Sequence, residues 1–357
     1  MKMINRILLI RLSSLGDVLL STPLISLLRQ KYPSAKIDFV IFQEYSELIR
    51  HHPEIHQIFE INKEEGLQGL NRIKKKLNSE KYDVILDIHN NFRSRWLTLR
   101  LSSFFSGTRI YRIRKQKFAR FLLVKFKINV YRKLYGKIIS VWEKYVRTAV
   151  HLGLNPESHT GKPDLYLPDD ARLSAEKILK ELNVPSSYIA VAPGAMHYTK
   201  RWSAENYASV INRLFREAGQ TTLLVGGVSD RQVVQGILKK VDKEAAISLA
   251  GEISLLETAA IIKNSRFLLT NDSGLMHVGS AMDIPLVAIF GSTVEEFGFF
   301  PAGSDINIIQ NETLYCRPCS HIGRSTCPEG HFKCMEEISP DVVTERIDSL
   351  LGEKRKG

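Results

Sequence analysis

Residues 266–290, with the sequence RFLLTNDSGLMHVGSAMDIPLVAIF, carry the pattern that decides the fold. Arg266–Thr270 is an apolar run that predicts a buried strand, and Pro285–Phe290 predicts another. Between them, Gly274–Met282 predicts a helix that begins after a small polar turn. Strands that alternate with helices in this way are typical of a doubly wound parallel sheet.

The same alternation extends through the rest of the second half and recurs in the first half. Further strands are predicted at Arg6–Ile10, Lys36–Phe42, Val84–Ile88, Tyr188–Ala192 and Thr221–Val225. Helices are predicted from the turn at Ser13–Asp17 to about Lys31, from the N-cap Ser203 to about Ala218, at Ser229–Val241 and Ser254–Asn264, and from Ser339-Pro340 to about Leu351. The pattern therefore indicates two α/β halves.

The length of 357 residues also favours two domains. Pro156–Asp170 carries Pro, Gly, Asp and Ser and shows little periodicity, so we expect the linker there. Two such halves facing each other would bind a ligand in the cleft between them, at the carboxyl ends of the parallel strands.

Positive charge is concentrated in residues 88–142, which we call the basic segment. The whole chain has 50 Lys or Arg against 38 Asp or Glu, a formal net charge of +12. The basic segment alone has fourteen Lys or Arg and no acidic residue, and aromatic residues such as Trp96, Phe118 and Phe121 lie among them. This composition predicts an anionic partner, either a membrane surface or a nucleic acid, rather than only a solvated face.

No apolar run approaches the ~20 residues that a membrane-spanning helix needs. The N-terminus has only the four-residue apolar run Ile7–Ile10 before Arg11, so we expect no secretory signal. These features predict a cytoplasmic protein with reduced thiols.

The four cysteines of the chain all lie in one short segment, at Cys316, Cys319, Cys327 and Cys334. In a reducing compartment this clustering indicates either a structural zinc site or a reduced thiol cluster in a loop. His321 and His331 would be competing ligands.

Two strand-to-helix turns carry charged residues that are candidates for a functional site. Ser13–Asp17 places Asp17 near a helix N-terminus, where its carboxylate either faces the cleft or only caps the helix amides. This turn lacks the G-x-G-x-x-G pattern of a dinucleotide site. Residues 193–202, with the sequence PGAMHYTKRW, bring Lys200 and Arg201 to the end of a strand, where a cation pair either binds phosphates or is simply exposed.

Residues 271–277, with the sequence NDSGLMH, predict a diphosphate site. The amides of Ser273, Gly274 and Leu275 at the helix start would point at the anion. His277 on the first turn either reaches the same anion or packs in the core. In a further turn, Asp230 follows a glycine pair and either holds a ribose diol or caps a helix.

Taken together, these motifs resemble glycosyltransferase family 9, the bacterial lipopolysaccharide heptosyltransferases. The resemblance spans nearly the whole chain, and its motifs are Arg11–Val18, Pro193–Ala195 with Lys200–Trp202, and Asn271–His277, in this order and spacing. The Lys-Arg-Trp form, the acid after the glycine pair and the cysteine-rich segment look most like the heptosyltransferase II type.

The resemblance implies a GT-B architecture of two Rossmann-like domains. Residues 1–163 would bind the acceptor, residues 164–340 would bind the nucleotide sugar, and a final helix at 341–357 would pack back on the first domain. The implied activity is an inverting transfer of heptose from ADP-heptose to the lipopolysaccharide inner core, as the second heptose or, alternatively, in a type I or III reaction. No cofactor is expected for catalysis, and the lipid A-core acceptor would bring the basic segment to the inner face of the bacterial inner membrane.

The resemblance also implies residue roles. Asp17 matches the family's proposed general base, and Lys200 matches its donor-contacting lysine, so both are expected to be catalytic. The expected substrate-binding residues are Asp230, Asp272, Ser273, Gly274, Leu275 and His277. Met196 stands where some members have a hydroxyl residue near the phosphates, so the resemblance assigns no role to this position.

Two rival functions explain less of the sequence. A nucleotide-sugar epimerase of the same architecture would need no lipid acceptor and would leave the basic segment unexplained. A nucleic-acid-binding protein would use that segment but would leave the strand-to-helix turns without a role.

Overall fold

The computed structural model describes residues 4–99, 101 and 107–353. The chain forms two compact units, the first made of residues 1–115 and 139–166 and the second of residues 116–138 and 167–357. The boundary at Tyr166 lies inside the predicted linker. The assignment of residues 116–138 to the second unit differs from the single boundary at residue 163 that we expected.

Short loops connect the helices and strands. The strands, in chain order, are β1 (Arg6–Ile10), β2 (Lys36–Phe42), β3 (Gln57–Ile61), β4 (Val84–Asp87), β5 (Arg109–Arg112), β6 (Tyr188–Ala192), β7 (Thr221–Leu224), β8 (Ala246–Ser248), β9 (Leu268–Asn271), β10 (Leu286–Phe290) and β11 (Ile306–Gln310). The α-helices are α1 (Leu15–Leu19), α2 (Thr22–Lys31), α3 (Glu47–Arg50), α4 (Gly66–Ser79), α5 (Phe92–Thr98), α6 (Lys117–Phe126), α7 (Tyr131–Tyr135), α8 (Val141–Thr148), α9 (Asp169–Glu181), α10 (Ala204–Ala218), α11 (Arg231–Leu238), α12 (Leu255–Asn264), α13 (Gly274–Met282), α14 (Lys333–Glu336) and α15 (Pro340–Glu353).

Each unit is built on one parallel sheet. The first sheet has the order β3-β2-β1-β4-β5, and the second has the order β11-β10-β9-β6-β7-β8. In the first sheet Ile10 of β1 is paired with Val40 of β2 on one side and with Asp87 of β4 on the other. The central strands are apolar along their length because helices cover both faces of a doubly wound sheet. Leu8 and Leu9, which point to opposite faces, are both fully buried.

Several helices begin at the serine caps that the sequence indicates. The Ser203 hydroxyl accepts a hydrogen bond from the Asn206 amide at 3.0 Å, and the Ser254 hydroxyl accepts one from the Glu257 amide at 3.2 Å. The first predicted helix is instead divided into α1 and α2. Pro23 lies in the first turn of α2, where its missing N–H is tolerated, so a new helix starts there.

The last helix, α15, packs in the second unit. Val343 and Ile347 are fully buried and belong to the same apolar core as Trp202 and Tyr207. We expected this helix to return to the first domain. Its apolar face is instead buried against the second sheet and α10.

Helices α6 and α7 of the basic segment also belong to the second unit. Ala119, Leu123 and Tyr131 form a small apolar cluster with Phe297. At the end of α6, the Lys127 ammonium donates to the carbonyls of Cys316 and Pro318 at 3.0 and 2.8 Å. No helix in the part of the chain that the structure describes is long and apolar enough to cross a bilayer.

Candidate active site

Both sheets change winding direction near the centre, and the candidate residues follow the strands at that point. In the first sheet the change lies between β1 and β4. Asp17 follows β1 in the first turn of α1, and His89 lies in the loop after β4. In the second sheet the change lies between β6 and β9, whose following loops carry Lys200 and Asp272. Doubly wound sheets bind ligands at this switch point, at the carboxyl ends of the strands. Each unit therefore has one candidate site.

Three side chains hold Asp17 at the start of α1. Its Oδ1 lies 2.7 Å from Arg11 Nη2 and accepts a hydrogen bond from the Tyr145 hydroxyl at 2.9 Å. Its Oδ2 accepts a hydrogen bond from the Ser14 hydroxyl at 3.0 Å and a longer one, 3.5 Å, from the Ser14 amide. Asp17 thus contacts the helix start as a cap would. Its side chain nevertheless remains 17% exposed, so a ligand can reach it.

The charge of Asp17 is fixed by these neighbours. Burial by itself raises the pKa of Asp17, but the Arg11 charge and the hydrogen bonds from Tyr145 and Ser14 outweigh burial and hold the pKa below its ordinary value. Burial also raises the pKa of Tyr145 well above its ordinary value, so the phenol stays protonated and donates. Asp17 is therefore an oriented anion of reduced basicity at neutral pH.

An ion pair is the centre of the second site. Lys200 Nζ lies 2.7 Å from Asp272 Oδ2, and the Thr293 hydroxyl donates to the same oxygen at 2.5 Å. The side chains of Lys200 and Asp272 are only 16% and 7% exposed. The structure thereby brings together two residues from separate sequence motifs.

Asn271 joins the loops that carry this ion pair. Its Nδ2 donates to the Pro193 carbonyl at 2.7 Å, and its Oδ1 accepts from the Trp202 amide at 3.2 Å. Asn271 is fully buried, so both bonds are shielded from water. The loop after β6 is therefore fixed against the turn after β9, which positions Lys200.

Helix α13 begins directly after the ion pair. Ser273 is its N-cap residue, but the Ser273 hydroxyl makes no hydrogen bond to the first-turn amides. The amides at the start of the helix, next to Gly274 and Leu275, are therefore suited to bind an anion. His277 is 3% exposed, which agrees with the alternative that this histidine packs in the core.

Asp230 is wedged between two glycine turns. Its Oδ2 accepts from the Gly227 amide at 2.9 Å. A Cβ atom at Gly194 would come within 2.2 Å of the Asp230 carboxylate, and one at Gly226 within 2.9 Å of its side chain. Glycine at these positions lets the loops after β6 and β7 close around the carboxylate, which lies beside the loop of Lys200.

The four cysteines have free thiols and line one small cavity together with His331. Cys316 Sγ lies 3.9 Å from His331 Nε2. Within residues 4–99, 101 and 107–353, no three His, Cys, Asp or Glu side chains converge closely enough to hold a metal ion. The structure therefore gives no support to the structural zinc site that was one of the two alternatives.

Two residues that contact the candidate carboxylates, Tyr145 and Thr293, are not indicated by any sequence motif. Tyr145 lies 128 residues beyond Asp17 in α8, and Thr293 lies 21 residues beyond Asp272 after β10. Neither stands in a motif, so only the tertiary fold identifies them. Arg11 does belong to a family motif, but the motif does not indicate its ion pair with Asp17.

Known proteins are similar to this chain over most of its length. The sequence profile described as glycosyltransferase family 9 (heptosyltransferase) matches residues 70–330, well over half of the chain. Lipooligosaccharide heptosyltransferase 2 of Haemophilus influenzae is 27% identical, over 97% of this chain and 99% of that protein.

Two solved structures share the fold. The glycosyl transferase family 9 structure from Veillonella parvula has a TM-score of 0.81 at 23% identity and covers 98% of both chains. The ADP-heptose LPS heptosyltransferase II structure from Escherichia coli has a TM-score of 0.75 at 22% identity and covers 98% of this chain and 99% of that one. The GT-B architecture of two Rossmann-like units is thus confirmed, and the chain belongs to glycosyltransferase family 9.

Proposed function

We propose that this glycosyltransferase transfers heptose from ADP-heptose to the inner core of lipopolysaccharide, with inversion at the anomeric carbon. The second heptose is the proposed position, because a heptosyltransferase 2 matches the chain almost from end to end. The observation that carries the chemistry is the pairing of Lys200 with Asp272 beside the start of α13. A cation beside a helix N-terminus stabilises a departing diphosphate.

Asp17 is the proposed general base. Its Oδ2 is the suitable oxygen, because Oδ1 is held by the Arg11 ion pair and the Tyr145 hydroxyl, whereas Oδ2 accepts only from the neutral Ser14 hydroxyl and, more distantly, from the Ser14 amide. An aspartate of lowered pKa does not ionise a free hydroxyl, so the proton moves late, when the new carbon–oxygen bond has made the acceptor hydroxyl acidic. Arg11 and Tyr145 keep the carboxylate ionised and oriented for that moment.

Lys200 and the first amides of α13 are the proposed leaving-group site. As the acceptor oxygen bonds to the anomeric carbon, the bond from that carbon to the phosphate oxygen breaks and ADP departs with the electron pair. Lys200, Ser273, Gly274 and Leu275 would neutralise the added charge. We assign Asp272 to the heptose, as the family resemblance implies, and Asp230 to the ribose, because an acid after a glycine-rich strand-to-helix turn suits a ribose diol. Both carboxylates adjoin the loop of Lys200.

We also propose that the basic segment binds the anionic inner face of the inner membrane. Helix α6 exposes 65% of Phe118 and 56% of Phe121, and the exposed Lys117 and Lys125 flank them. Insertion of aromatic rings and attraction of cations to anionic lipid add to each other. Other residues of this segment, Arg100, Phe104 and Phe105, lie outside the described residues.

A donor and acceptor screen tests the transfer. The purified protein is offered ADP-heptose, ADP-glucose and UDP-glucose with two truncated lipopolysaccharides, one lacking heptose and one carrying a single heptose. We expect transfer from ADP-heptose to the acceptor with one heptose, detected by mass spectrometry. Preference for the heptose-free acceptor would indicate a type I reaction, and preference for another donor would overturn the proposal.

A further inference from the structure

His89 lies in a rigid loop at the switch point of the first sheet. The loop follows β4, and the buried Asp87 carboxylate fixes it by accepting hydrogen bonds from the His89 amide at 3.2 Å and the Asn90 amide at 2.7 Å. The neighbouring carbonyl of Ile88 accepts a hydrogen bond from Arg11 Nη1 at 3.0 Å. His89 is therefore held next to Arg11, the ion-pair partner of Asp17.

The hydrogen bonds around Asn91 determine the tautomer of His89. Asn91 Oδ1 accepts from the Ser94 amide at 2.9 Å, so Asn91 Nδ2 is the donor end of the side chain. This Nδ2 lies 2.6 Å from His89 Nε2, which must therefore accept. The imidazole proton is consequently on Nδ1.

That Nδ1–H group is buried and has no hydrogen-bond partner among the described residues. The same is true of Arg11 Nε, which belongs to the facing loop. Native proteins rarely leave buried donors unpaired, because the lost hydration is not compensated. Two such donors at one switch point indicate an oxygen ligand that binds there.

The surroundings of His89 indicate the charge of that ligand. Burial, together with the positive charges of Arg11 and Lys115, lowers the pKa of His89 to about 3, and Arg93 acts in the same direction. The imidazole is therefore neutral and donates one hydrogen bond at any physiological pH. The nearby cations favour an anionic oxygen over a hydroxyl.

We propose that His89 binds the acceptor, donating its Nδ1–H to an anionic oxygen, carboxylate or phosphate, of the acceptor sugar. This inference rests on the proposed transfer to an acidic core saccharide and adds an acceptor-binding residue to it. His89 acts on acceptor affinity, whereas the donor is bound by other residues.

Two substitutions of His89 test the proposal by steady-state kinetics with ADP-heptose and a short acidic core acceptor. His89→Leu removes the donor at similar volume, and we expect the acceptor KM to rise about tenfold or more with an unchanged donor KM. His89→Leu and His89→Asn both remove the Nε2 atom that accepts from Asn91, so the difference between the two variants reports the Nδ1–H donor alone. His89→Asn places an amide N–H where Nδ1 stood, and we expect it to recover most of the acceptor affinity. His51→Leu, at an exposed histidine, serves as the control.

A dephosphorylated acceptor distinguishes the two sources of the anionic oxygen. The effect of His89→Leu vanishes on this acceptor if a phosphate is bound and persists if a carboxylate is bound. An unchanged acceptor KM, an equal rise in donor KM, or no recovery in His89→Asn would overturn the inference while leaving the transfer intact. If the wild-type protein transferred no heptose to any acceptor, both the His89 inference and the proposed function would be overturned.

Discussion

Arg11, in the loop after β1, forms an ion pair with Asp17 in α1, with 2.7 Å between Nη2 and Oδ1. The pair is shielded, since the two side chains are 11% and 17% exposed. It orients the carboxylate and at the same time lowers its affinity for a proton. The carboxylate of the proposed base is therefore held in a fixed orientation, but its pKa is lowered. Variants of Asp17 and of its partners should separate the effect of orientation from the effect of pKa.

We expect Asp17→Asn to lower kcat by about a hundredfold or more, because general-base assistance is lost. ADP-heptose affinity, measured by calorimetry, should change little, since the proposed donor residues lie in the second unit. Asp169→Asn, at a side chain that is 88% exposed, is a matched control that should keep full activity. Normal turnover of Asp17→Asn would remove Asp17 from the mechanism.

Tyr145→Phe should shift the acid limb of the pH–rate profile upward. The Tyr145 hydroxyl stabilises ionised Asp17, so its loss raises the pKa of Asp17 towards the ordinary value. The stability that Asp17 contributes is present above its unfolded-state pKa and is lost as pH falls through the lower folded-state pKa, so this variant should also tolerate acid less well. Profiles of kcat/KM from about pH 2.5 to 7 measure the shift, because both acid limbs lie at or below the ordinary aspartate pKa of about 3.9.

Tyr207→Phe is the control for that profile. The Tyr207 hydroxyl is buried without a hydrogen-bond partner among the described residues and belongs to the core of the second unit. Its removal should leave the acid limb in place. Coincident profiles for Tyr145→Phe and the wild type would show that Tyr145 does not tune Asp17.

Lys200→Met should damage both turnover and stability. Loss of the cation at the departing diphosphate should lower kcat by roughly 10²–10³. The Asp272 carboxylate would remain buried without its counter-ion, which costs about 3–5 kcal/mol in the free energy of unfolding. The double variant Lys200→Met/Asp272→Asn should recover stability in urea unfolding but not activity. If the double variant were no more stable than the single one, the ion pair would not stabilise the site.

Alanine substitutions at Gly194 and Gly227, which lie in two different loops near Asp230, test whether Asp230 contacts the donor. A Cβ at Gly194 would clash with the Asp230 carboxylate at 2.2 Å, whereas one at Gly227 comes no closer than 3.9 Å to Asp230. We expect Gly194→Ala to displace the carboxylate and raise the ADP-heptose KM about tenfold, as Asp230→Ala should. Gly227→Ala should bind the donor normally. Equal donor KM values for the two glycine variants would contradict a contact between Asp230 and the donor.

Central strands were predictable from the sequence, and edge strands were not. β1, β2 and β6 have the bounds that their apolar runs indicate. The strands that the sequence did not indicate are the outer strands of the two sheets, namely β3, β5, β8 and β11. Water or loops cover one side of an edge strand, so polar residues are tolerated there. In β5, for example, Arg109 and Arg112 are exposed and interrupt any apolar pattern.

The sequence predicted those candidate-site residues that follow a strand closely along the chain, but not their partners from distant parts of the chain. Asp272 directly follows β9, and Asp17 and Lys200 lie seven and eight residues beyond the ends of β1 and β6, so the strand-to-helix connections locate them. Their partners Tyr145 and Thr293 come from distant parts of the chain and carry no pattern. The assignment of α6 to the second unit was equally hidden, because it depends on packing against Phe297.

The last prediction concerns the exposed face of α6. We expect Phe118→Ser/Phe121→Ser to reduce binding to phosphatidylglycerol vesicles about tenfold or more in sedimentation assays, because two ring insertions are lost, while activity on a short soluble acceptor is kept. Leu173→Ser, which alters a 64% exposed apolar residue on α9 outside the basic segment, is the matched control. Wild-type binding should weaken with added salt and with neutral phosphatidylcholine, since the lysines act electrostatically. Equal vesicle binding by the double variant and the wild type would mean that α6 is not the membrane-binding helix.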